Sequence, residues 1–592
     1  MSAVLPASSR ALPADEAPPA WIAAAALAVV LPTVLAVDLP PSVTFANQAA
    51  ALAGWGLLCL LLAGSSGAAA RARVAGGEAA LLAAFGLLSA SALAAPLWAG
   101  LPWTLALSAL GMLAAAALVA RAGAAVARAG HALPAFHAFG VALLAAGTIG
   151  VALGLVQVFW PRLADGTLIA AITAGRAAGN LRQPNHLSSL LLWALIALVW
   201  LHDSRRIGRA PAAGLYVLLL AGVVLTGSRT GMLGVLMLLA WGVLDRALAP
   251  AVRRALLLAP LVFALLWVAL AAWAHATQHG FAGEAQLSKG DLSSSRFGIW
   301  SNTLALIARD PWLGVGWGEF NFAWSLTPFP GRSSAFFDHT HNLPLHFAVE
   351  LGLPLAIVVL VLLGAALWRA FGAAARCADR ATASALRAAF MLVLMMAVHS
   401  QFEYPLWYAY FLLPTAFAFG LCLAGPQAPP AGASAAGPAR GLRLGAVALI
   451  AGGALATADY LRVVDIYAPG AGAPPLADRI AQGRHSWFFG HHADYAEVTT
   501  EGQTPADPAQ AFARAPHYLL DTRLMTAWAR ALHAAGQEDA ARHVAARLRE
   551  FNNPQSQPFF EVCEMLEGED AAGLPFQCRA ASAPPDFEAL RR

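Results

Sequence analysis

His339 and His341 are the residues of this sequence whose type and spacing first suggest chemistry. They lie in an Asp-His-Thr-His-Asn segment, after a long polar stretch and before an apolar run that opens at Leu343, so we expect them at a membrane face. An alternating pair can bind a metal, can hydrogen-bond the loop that carries it, or can include one general base, since imidazole titrates near pH 6.5. A hydrolytic zinc site needs about three protein ligands, and no H-E-x-x-H motif or carboxylate cluster accompanies this pair.

Two arginines occupy positions where a membrane protein seldom places positive charge. Arg229 lies in a very short connection between two apolar runs, and Arg296 lies near the predicted start of a helix in a long polar stretch. A snorkelling side chain explains Arg229, and so does an anion site. The free N–H groups of a helix start would add to the positive field at Arg296. Because a guanidinium pairs bidentately with phosphate oxygens, two of them on one face indicate a phosphate-bearing ligand.

Two compact polar turns are predicted on the same side of the protein as these residues. Residues 179–186 read Gly-Asn-Leu-Arg-Gln-Pro-Asn-His and residues 399–405 read His-Ser-Gln-Phe-Glu-Tyr-Pro. Each turn can be a simple helix boundary, with Pro184 and Pro405 as stops. Their shared location instead favours a common pocket.

The composition predicts what must position these residues. Among 592 residues, 59% are hydrophobic and 12% are charged, and the mean hydropathy is +0.62. Soluble domains carry about 25% charged residues, so a conventional soluble enzyme is excluded. Inside lipid every backbone N–H and C=O needs a partner within its own segment. The sequence therefore predicts an all-α polytopic integral membrane protein.

We predict about 13 transmembrane helices and five regions. The helices cover residues 21–37, 48–63, 78–95, 101–120, 134–160, 186–201, 211–226, 230–244, 255–275, 343–367, 386–401, 405–424 and 442–459. The regions are an N-terminal segment (1–20), transmembrane helices 1 to 9 (21–275), a long loop (276–342), transmembrane helices 10 to 13 (343–459) and a helical C-terminal region (460–592). The charge distribution and the resemblance described below imply that the first is cytoplasmic, that the loop is periplasmic and catalytic, and that the last is periplasmic. We expect the first helix to remain as an uncleaved anchor.

The distribution of arginine predicts the orientation. A net charge of +4 and a pI near 8.9 could suggest a nucleic-acid binder, but the arginines are not gathered on one soluble face. They concentrate in alternate connections, and the intervening short connections contain only Arg162, Arg176, Arg182 and Arg229. By the positive-inside rule the N-terminus is cytoplasmic and the C-terminus lies outside.

Two cysteines of the C-terminal region agree with this orientation. Cys563 and Cys578 share the segment that the charge rule places outside, where thiols are oxidised. They form either a disulfide or two free buried thiols.

The long outer loop, residues 276–342, is termed the lid loop. Ser293 to Ser295 can cap a helix whose apolar residues, from Phe297 to Ile307, follow helical spacing. Its aromatic residues suit sugars or lipid headgroups, and interfacial anchoring is the alternative for Trp300 and Trp312.

The outer tail also has a helical pattern. Residues 522–535 and 537–551 read as a helical hairpin joined at Gly536, similar in length and pattern to one tetratricopeptide unit. Such a hairpin either binds a partner or caps the membrane domain.

The order of the motifs resembles the O-antigen ligase and polymerase superfamily. The matching motifs are Gly-Asn-Leu-Arg-Gln-Pro-Asn at 179–185, Ser-Arg-Thr-Gly at 228–231, Ser-Arg at 295–296, Asp-Pro-Trp-Leu-Gly-Val-Gly at 310–316 and His-Thr-His-Asn at 339–342. The Gln-Pro-Asn turn and Gln-Phe-Glu-Tyr-Pro-Leu-Trp-Tyr at 401–408 resemble, more specifically, bacterial O-linked protein oligosaccharyltransferases of the PglL type. The resemblance covers roughly residues 20–460, and the tail is similar to the C-terminal region of that subfamily.

This resemblance implies a glycosyltransferase of the inner membrane whose active site faces the periplasm. It would transfer a glycan from undecaprenyl diphosphate to a hydroxyl of a pilin or another periplasmic protein. The implied roles, by number in this sequence, are catalysis for His341 with His339 beside it, diphosphate binding for Arg229 and Arg296, and support of acceptor binding or transfer for Gln183, Tyr404, Asn342, Asn185 and Glu403.

No metal and no cofactor is expected, since the first outer loop, Asp38 to Asn47, holds one acid and no Asp-x-Asp pair. Closely related alternatives are a ligase that modifies lipid A core and an O-antigen polymerase. A membrane permease is the alternative from a different class, but we find no convincing internal repeat and few charges inside the spans.

Overall fold

A computed structural model describes residues 16–67, 69, 74, 76–171, 175–278, 292–424, 439–500, 505–566 and 573–591. Within these residues the ordered elements are helices, apart from one isolated β-bridge between Leu39 and Ser42. The protein is therefore an all-α polytopic membrane protein. Residues 1–15 of the predicted N-terminal segment and residues 279–291 of the lid loop lie outside the described residues.

Each predicted membrane span overlaps an apolar helix. In chain order the helices are α1 (Pro19–Val34), α2 (Phe45–Ser66), α3 (Gly76–Trp98), α4 (Trp103–Val126), α5 (Ala132–Phe159), α6 (Pro184–Asp203), α7 (Arg209–Thr226), α8 (Arg229–Leu244), α9 (Pro250–Leu257), α10 (Ala259–Thr277), α11 (Leu292–Arg309), α12 (Phe320–Leu326), α13 (Leu343–Arg376), α14 (Arg380–His399), α15 (Ala409–Leu423) and α16 (Arg440–Tyr467). The predicted span 255–275 corresponds to α9 and α10 together, and α11 and α12 belong to the lid loop.

Length and composition identify the membrane-crossing helices. In the described part of the chain, nine helical segments are long and apolar enough to cross a membrane, while α1, α8 and α15 are shorter apolar helices. One of the nine segments, Trp103–Phe159, contains both α4 and α5. It is interrupted by a π-helical turn with Gly130 at a φ of 83°, so it accounts for two of the predicted spans.

Most helix ends differ by a few residues from the sequence-based prediction, and α13 continues to Arg376, past the predicted end at residue 367. Two further differences have a local cause. Helix α16 continues past residue 459 to Tyr467, because Tyr460, Val463 and Ile466 extend its apolar face and are buried against the C-terminal region. Helix α11 includes Leu292, so Ser293 to Ser295 lie inside it instead of capping it. Serine is only a mildly unfavourable helix residue, and a short serine run does not end a helix.

Helix α6 is the centre of the bundle. Its residues from Leu187 to Leu201 are buried on all sides, which is expected of a helix that is apolar all round. It packs against α5, α7, α8 and α14. Around this centre, α1 packs on α2 and α5, α2 on α16, α4 on α15, and α3 on α13.

The C-terminal region is helical where it is described. It contains α17 (Leu476–Gly483), α18 (Gly490–Thr499), α19 (Pro508–Phe512), α20 (Thr522–Ala534), α21 (Glu538–Glu550) and α22 (Gln557–Met565). Helices α20 and α21 pack on each other as the predicted hairpin, and Gly536 between them has a φ of 73°, which favours glycine. Cys563 and Cys578 form a disulfide bond, with their Cα atoms 5.4 Å apart.

Candidate active site

His341 and Glu403 form the centre of the candidate site. The Nδ1 atom of His341 lies 2.9 Å from Oε2 of Glu403, and the two side chains are 15% and 6% exposed. His341 precedes the start of α13, whereas Glu403 lies in the turn between α14 and α15. The pair therefore joins two segments that are 62 residues apart in the chain.

The backbone holds His341 in an uncommon conformation. Its φ is 54°, in the left-handed region that residues other than glycine seldom adopt. Neighbouring bonds fix the loop on both sides, because the indole of Trp300 donates to the Thr340 carbonyl (3.0 Å) and the Leu345 N–H donates to Asn342 Oδ1 (3.0 Å). Such conformations persist where the surrounding structure enforces them, and they concentrate at functional sites.

The other oxygen of Glu403 connects the pair to a larger network. Oε1 accepts hydrogen bonds from Arg296 of the lid helix and from Asn185 Nδ2 (2.8 Å) at the start of α6. Asn185 in turn accepts from Ser228 Oγ (2.7 Å), whose hydroxyl caps α8 immediately before Arg229. One carboxylate thus joins the lid loop and the starts of α6 and α8.

Glu403 carries negative charge in this position. Burial of its carboxyl opposes ionisation, but favourable interactions, among them the hydrogen bond from His341 and the positive charge of Arg296, outweigh burial and lower the pKa of Glu403 below its usual value. The site therefore holds a buried carboxylate between an imidazole and a guanidinium at neutral pH.

A cavity of about 220 Å³ lies beside this network. Its lining residues combine two guanidinium groups with apolar and aromatic side chains, and they are Arg229, Thr230, Leu233, Arg296, Phe297, Trp300 and Phe402. A cavity with this lining suits an anion that is attached to apolar groups.

Arg176 adds a third positive group close to Glu403. Its Nε donates to the Thr226 carbonyl at 2.9 Å. Burial lowers the pKa of Arg176, and the charge of Glu403 partly opposes this effect. The sequence identified Arg176 only as an arginine on the outer face.

His339 and Tyr404 pack against each other beside His341. The two rings are stacked, with centroids 4.3 Å apart, and the Tyr404 ring lies edge-on to His341 at 5.1 Å. His339 Nδ1 is 2.8 Å from Asp338 Oδ1. Burial raises the pKa of the Tyr404 hydroxyl, which therefore stays protonated at neutral pH. His339 thus has a different acidic neighbour from His341.

Gln183 and Asn342 hold helix ends at the site. Gln183 Oε1 accepts from the His186 N–H at 2.8 Å and so caps α6 two residues before Asn185. Asn342 caps α13, and its Nδ2 donates to the Gln401 carbonyl at 3.2 Å. Both residues therefore position elements that carry the central network.

A strap of the lid loop, residues 311–316, pairs with a break in α13. The Val315 N–H donates to the Val349 carbonyl (2.8 Å), and the Leu353 N–H donates to the Pro311 carbonyl (2.8 Å). Helix α13 is non-helical at Gly352, where φ is 74°, which leaves these backbone groups available to the strap. The strap fixes the short first part of α13, which follows directly after His341.

Sequence reasoning missed two buried ionisable residues in that first part of α13. His346 Nε2 lies 3.5 Å from Glu350 Oε1, and both side chains are buried. A detectable signal was present, since an ionisable pair four residues apart within an apolar run is rare and usually functional or structurally paired. Among the described residues, no three His, Cys, Asp or Glu side chains converge to hold a metal ion.

Comparison with known protein families gives three matches. A model described as "O-Antigen ligase" matches residues 214–360, one described as "Virulence factor membrane-bound polymerase, C-terminal" matches residues 387–560, and one described as "Protein glycosylation ligase" matches residues 177–202. These regions contain the candidate residues, since Arg229, Arg296 and His341 lie in the first, Glu403 in the second and Asn185 in the third.

Two curated relatives from Acinetobacter baylyi are similar to this chain. The "ComP-specific O-oligosaccharyltransferase" is 26% identical over 257 residues, which cover 42% of this chain and 44% of the relative. The "General O-oligosaccharyltransferase" is 25% identical over 254 residues, which cover 42% of this chain and 43% of the relative. The chain thus spans less than half the length of either relative. The matches confirm the resemblance to O-antigen ligases and O-oligosaccharyltransferases that the motifs indicated.

Proposed function

We propose that the protein transfers an oligosaccharide from undecaprenyl diphosphate to Ser or Thr hydroxyls of periplasmic or pilin-like proteins. The observation that carries this proposal is the connection from the His341 imidazole through Glu403 to Arg296, which lines one cavity together with Arg229. A candidate base, His341, therefore lies close to a candidate anion site, formed by Arg229 and Arg296. The names of the two relatives support a protein acceptor.

His341 is the proposed general base. With Glu403 facing Nδ1, the ring presents Nε2 to an acceptor hydroxyl and takes its proton as the acceptor oxygen attacks the anomeric carbon. The carboxylate of Glu403 then stabilises the imidazolium ion that forms. His339 faces Asp338 and stacks on Tyr404, so we assign it to positioning this segment.

Arg229 and Arg296 are the proposed diphosphate ligands. As the new bond forms, the bond between the anomeric carbon and the diphosphate oxygen breaks, and its electron pair leaves with the diphosphate. Guanidinium groups already in place stabilise the developing charge. A single displacement of this kind inverts the configuration of the anomeric carbon.

This chemistry is proposed at the periplasmic face of the inner membrane. The arginine bias supports an outer location of the lid loop and the C-terminal region, and the disulfide between Cys563 and Cys578 supports an oxidising compartment for that region.

Intact mass spectrometry of an acceptor tests the proposal. Co-expression with a lipid-linked glycan pathway and a pilin acceptor is expected to add the mass of the glycan on Ser or Thr. The His341→Ala variant should abolish this shift, whereas His339→Ala should retain part of it. Glycosylated lipopolysaccharide without any modified protein would select the lipid A core ligase instead. Labelled substrate transported into proteoliposomes without covalent product would select the permease.

We expect the transfer reaction to proceed without a metal ion. Activity of the purified protein should be the same in excess chelator as in buffer alone. Loss of activity in chelator that a divalent ion restores would contradict this prediction.

A further inference from the structure

The C-terminal region and the second half of the lid loop are joined by a series of contacts. Residues 515–553, termed the clamp, contact lid residues 319–337 at a series of places. These contacts are His517 with Glu319, Leu520 N with Asn321 Oδ1, His543 Nε2 with the Leu326 carbonyl, Glu550 with Arg332, Phe551 with Phe336, and Asn553 Nδ2 with the Ser334 carbonyl. The lid loop therefore covers part of the hairpin surface that a partner protein could otherwise bind.

The first fixed point of the clamp is the pair His517 and Glu319. Nδ1 of His517 lies 2.8 Å from Oε2 of Glu319, and the two side chains are 2% and 0% exposed. Phe322 stacks on the imidazole at 4.6 Å, and Gly100 approaches so closely that an added Cβ would lie 2.6 Å from the ring. A buried polar pair enclosed in this way cannot replace its hydrogen bond with one to water. The pair therefore holds its two segments in one arrangement.

The second fixed point is Arg332. Its guanidinium is fully buried, donates to the Trp324 carbonyl at 2.9 Å and lies 3.1 Å from Glu550 Oε2. The same carboxylate accepts from the Phe329 N–H at 3.1 Å, and the Phe551 ring covers the guanidinium. Arg332 therefore folds the lid segment back on itself and joins it to α21.

Contacts continue from the clamp to the proposed base. Phe336 stacks on Phe551 of the clamp at 4.0 Å. The backbone carbonyl of the next residue, Phe337, accepts a hydrogen bond from Asn321 Nδ2 (3.0 Å), and the Phe337 ring packs edge-on against His341 at 5.4 Å. The position of the imidazole is thus connected to the clamp through two adjacent aromatic residues.

We propose that the clamp is a positioning element of the active site, which holds the lid loop so that His341 stays beside Glu403. His517 and Glu550 are positioning residues in this role, since they act through lid residues and not on a substrate. The kinetic part of this inference rests on the proposed function, whereas the structural part does not.

Hydrogen exchange and steady-state kinetics of the full-length protein test the inference. His517→Ala and Glu550→Gln each weaken one fixed point. Both variants are expected to take up deuterium faster in peptides from residues 319–341. We expect kcat to fall by about tenfold to a hundredfold, because small displacements of a reacting group have effects of that size. The KM for the lipid-linked donor should change by less than about twofold, because Arg229 begins α8 and Arg296 is bound by Glu403, both outside the lid residues 319–337 that the clamp contacts.

Two further variants provide controls. His533→Ala removes a histidine of the same hairpin that is 48% exposed and faces Glu538 within the clamp, so exchange in the lid and kcat should stay at the wild-type level. His517→Gln, whose amide can donate to Glu319, should restore part of the activity that His517→Ala loses. If His517→Ala does not fold, His517→Gln and Glu550→Gln still make the comparison.

Two results would overturn the inference. One is lid exchange at the wild-type rate in His517→Ala and Glu550→Gln, and the other is faster lid exchange with unchanged kcat. A wild-type protein without any transfer activity would contradict the proposed function instead. The exchange comparison would then still decide whether the clamp holds the lid loop.

Discussion

At the scale of single residues, Glu403 is the group on which the site depends. Its two oxygens separate two tasks, since Oε2 faces the His341 imidazole and Oε1 binds Arg296 and Asn185. The orientation of the proposed base and the position of a proposed diphosphate ligand, Arg296, are therefore set by one side chain. A change in Glu403 must affect both.

Replacement of Glu403 by Gln should impair catalysis. The amide has nearly the same shape, but it cannot stabilise an imidazolium ion and holds Arg296 less strongly. We expect kcat to fall by about a hundredfold or more, within the range attributed to general bases. Transfer to an acceptor peptide, measured at saturating donor, checks this value. An unchanged kcat would contradict the assigned role of Glu403.

The lowered pKa of Glu403 predicts how stability depends on pH. The pKa of the carboxyl in the folded protein lies below the usual 4.5 that it has in the unfolded chain. The ionised carboxylate of Glu403 therefore contributes its full stabilisation of the folded protein above pH 4.5. This stabilisation is lost as the pH falls through the lower pKa of the folded state.

The apparent melting temperature in detergent measures this effect. Glu403→Gln should melt below the wild type at pH 7, and the difference should shrink as the pH is lowered past 4.5. A difference that stays constant between pH 7 and pH 3 would contradict the prediction.

The sequence indicated which residues form the site better than it indicated which residues they contact. His341, Arg229 and Arg296 stand out because polar and positive residues are scarce at these places in a membrane protein. The hydrogen bond of Asn185 to Glu403 joins residues 218 positions apart, and no spacing rule indicates such a contact. The catalytic roles themselves stay predictions.

At the scale of elements, the strap of the lid loop and the break in α13 depend on two glycines. A Cβ on Gly314 would lie 2.5 Å from the Val349 carbonyl oxygen, and a Cβ on Gly352 would lie 2.3 Å from the Trp312 carbonyl oxygen. Only glycine permits this backbone contact, which positions the start of α13 behind His341.

Gly352→Ala should therefore destabilise the protein. Its φ of 74° adds backbone strain to the steric overlap, so we expect a loss of about 1–3 kcal/mol or more. Gly364→Ala is the matched control, because Gly364 lies in the same helix and an added Cβ there meets nothing within 4 Å. Thermal melting of both variants checks the prediction, and equal melting temperatures would contradict it.

Hydropathy predicted where the helices lie, because their length and apolar composition are imposed by the membrane. It did not predict the end of α16 at Tyr467, since the extra turns are stabilised by packing against α17 and α18 and not by lipid. The pairing of the strap with α13 is a tertiary contact, which hydropathy does not indicate.

At the scale of the whole molecule, the proposed orientation places the site and the C-terminal region on one side of the membrane. Cys377 lies in the connection between α13 and α14 and is partly exposed, whereas Cys59 and Cys422 are buried. Ser334 lies on the lid loop and is exposed. These positions allow a direct test of orientation.

A membrane-impermeant thiol reagent applied to intact spheroplasts should label Ser334→Cys and should not label Cys377. After permeabilisation both thiols should react. Labelling of Cys377 in intact spheroplasts, with Ser334→Cys protected, would reverse the orientation and contradict a periplasmic site.

The Glu319–His517 contact also has a consequence for biogenesis, because it joins residues 198 positions apart. A ribosome finishes the lid loop long before it reaches the clamp, and contacts of such separation form late. Under the proposed orientation and function, the newly made protein therefore cannot complete its active site until residues 515–553 have crossed the membrane, and we expect glycan transfer to begin only after that step.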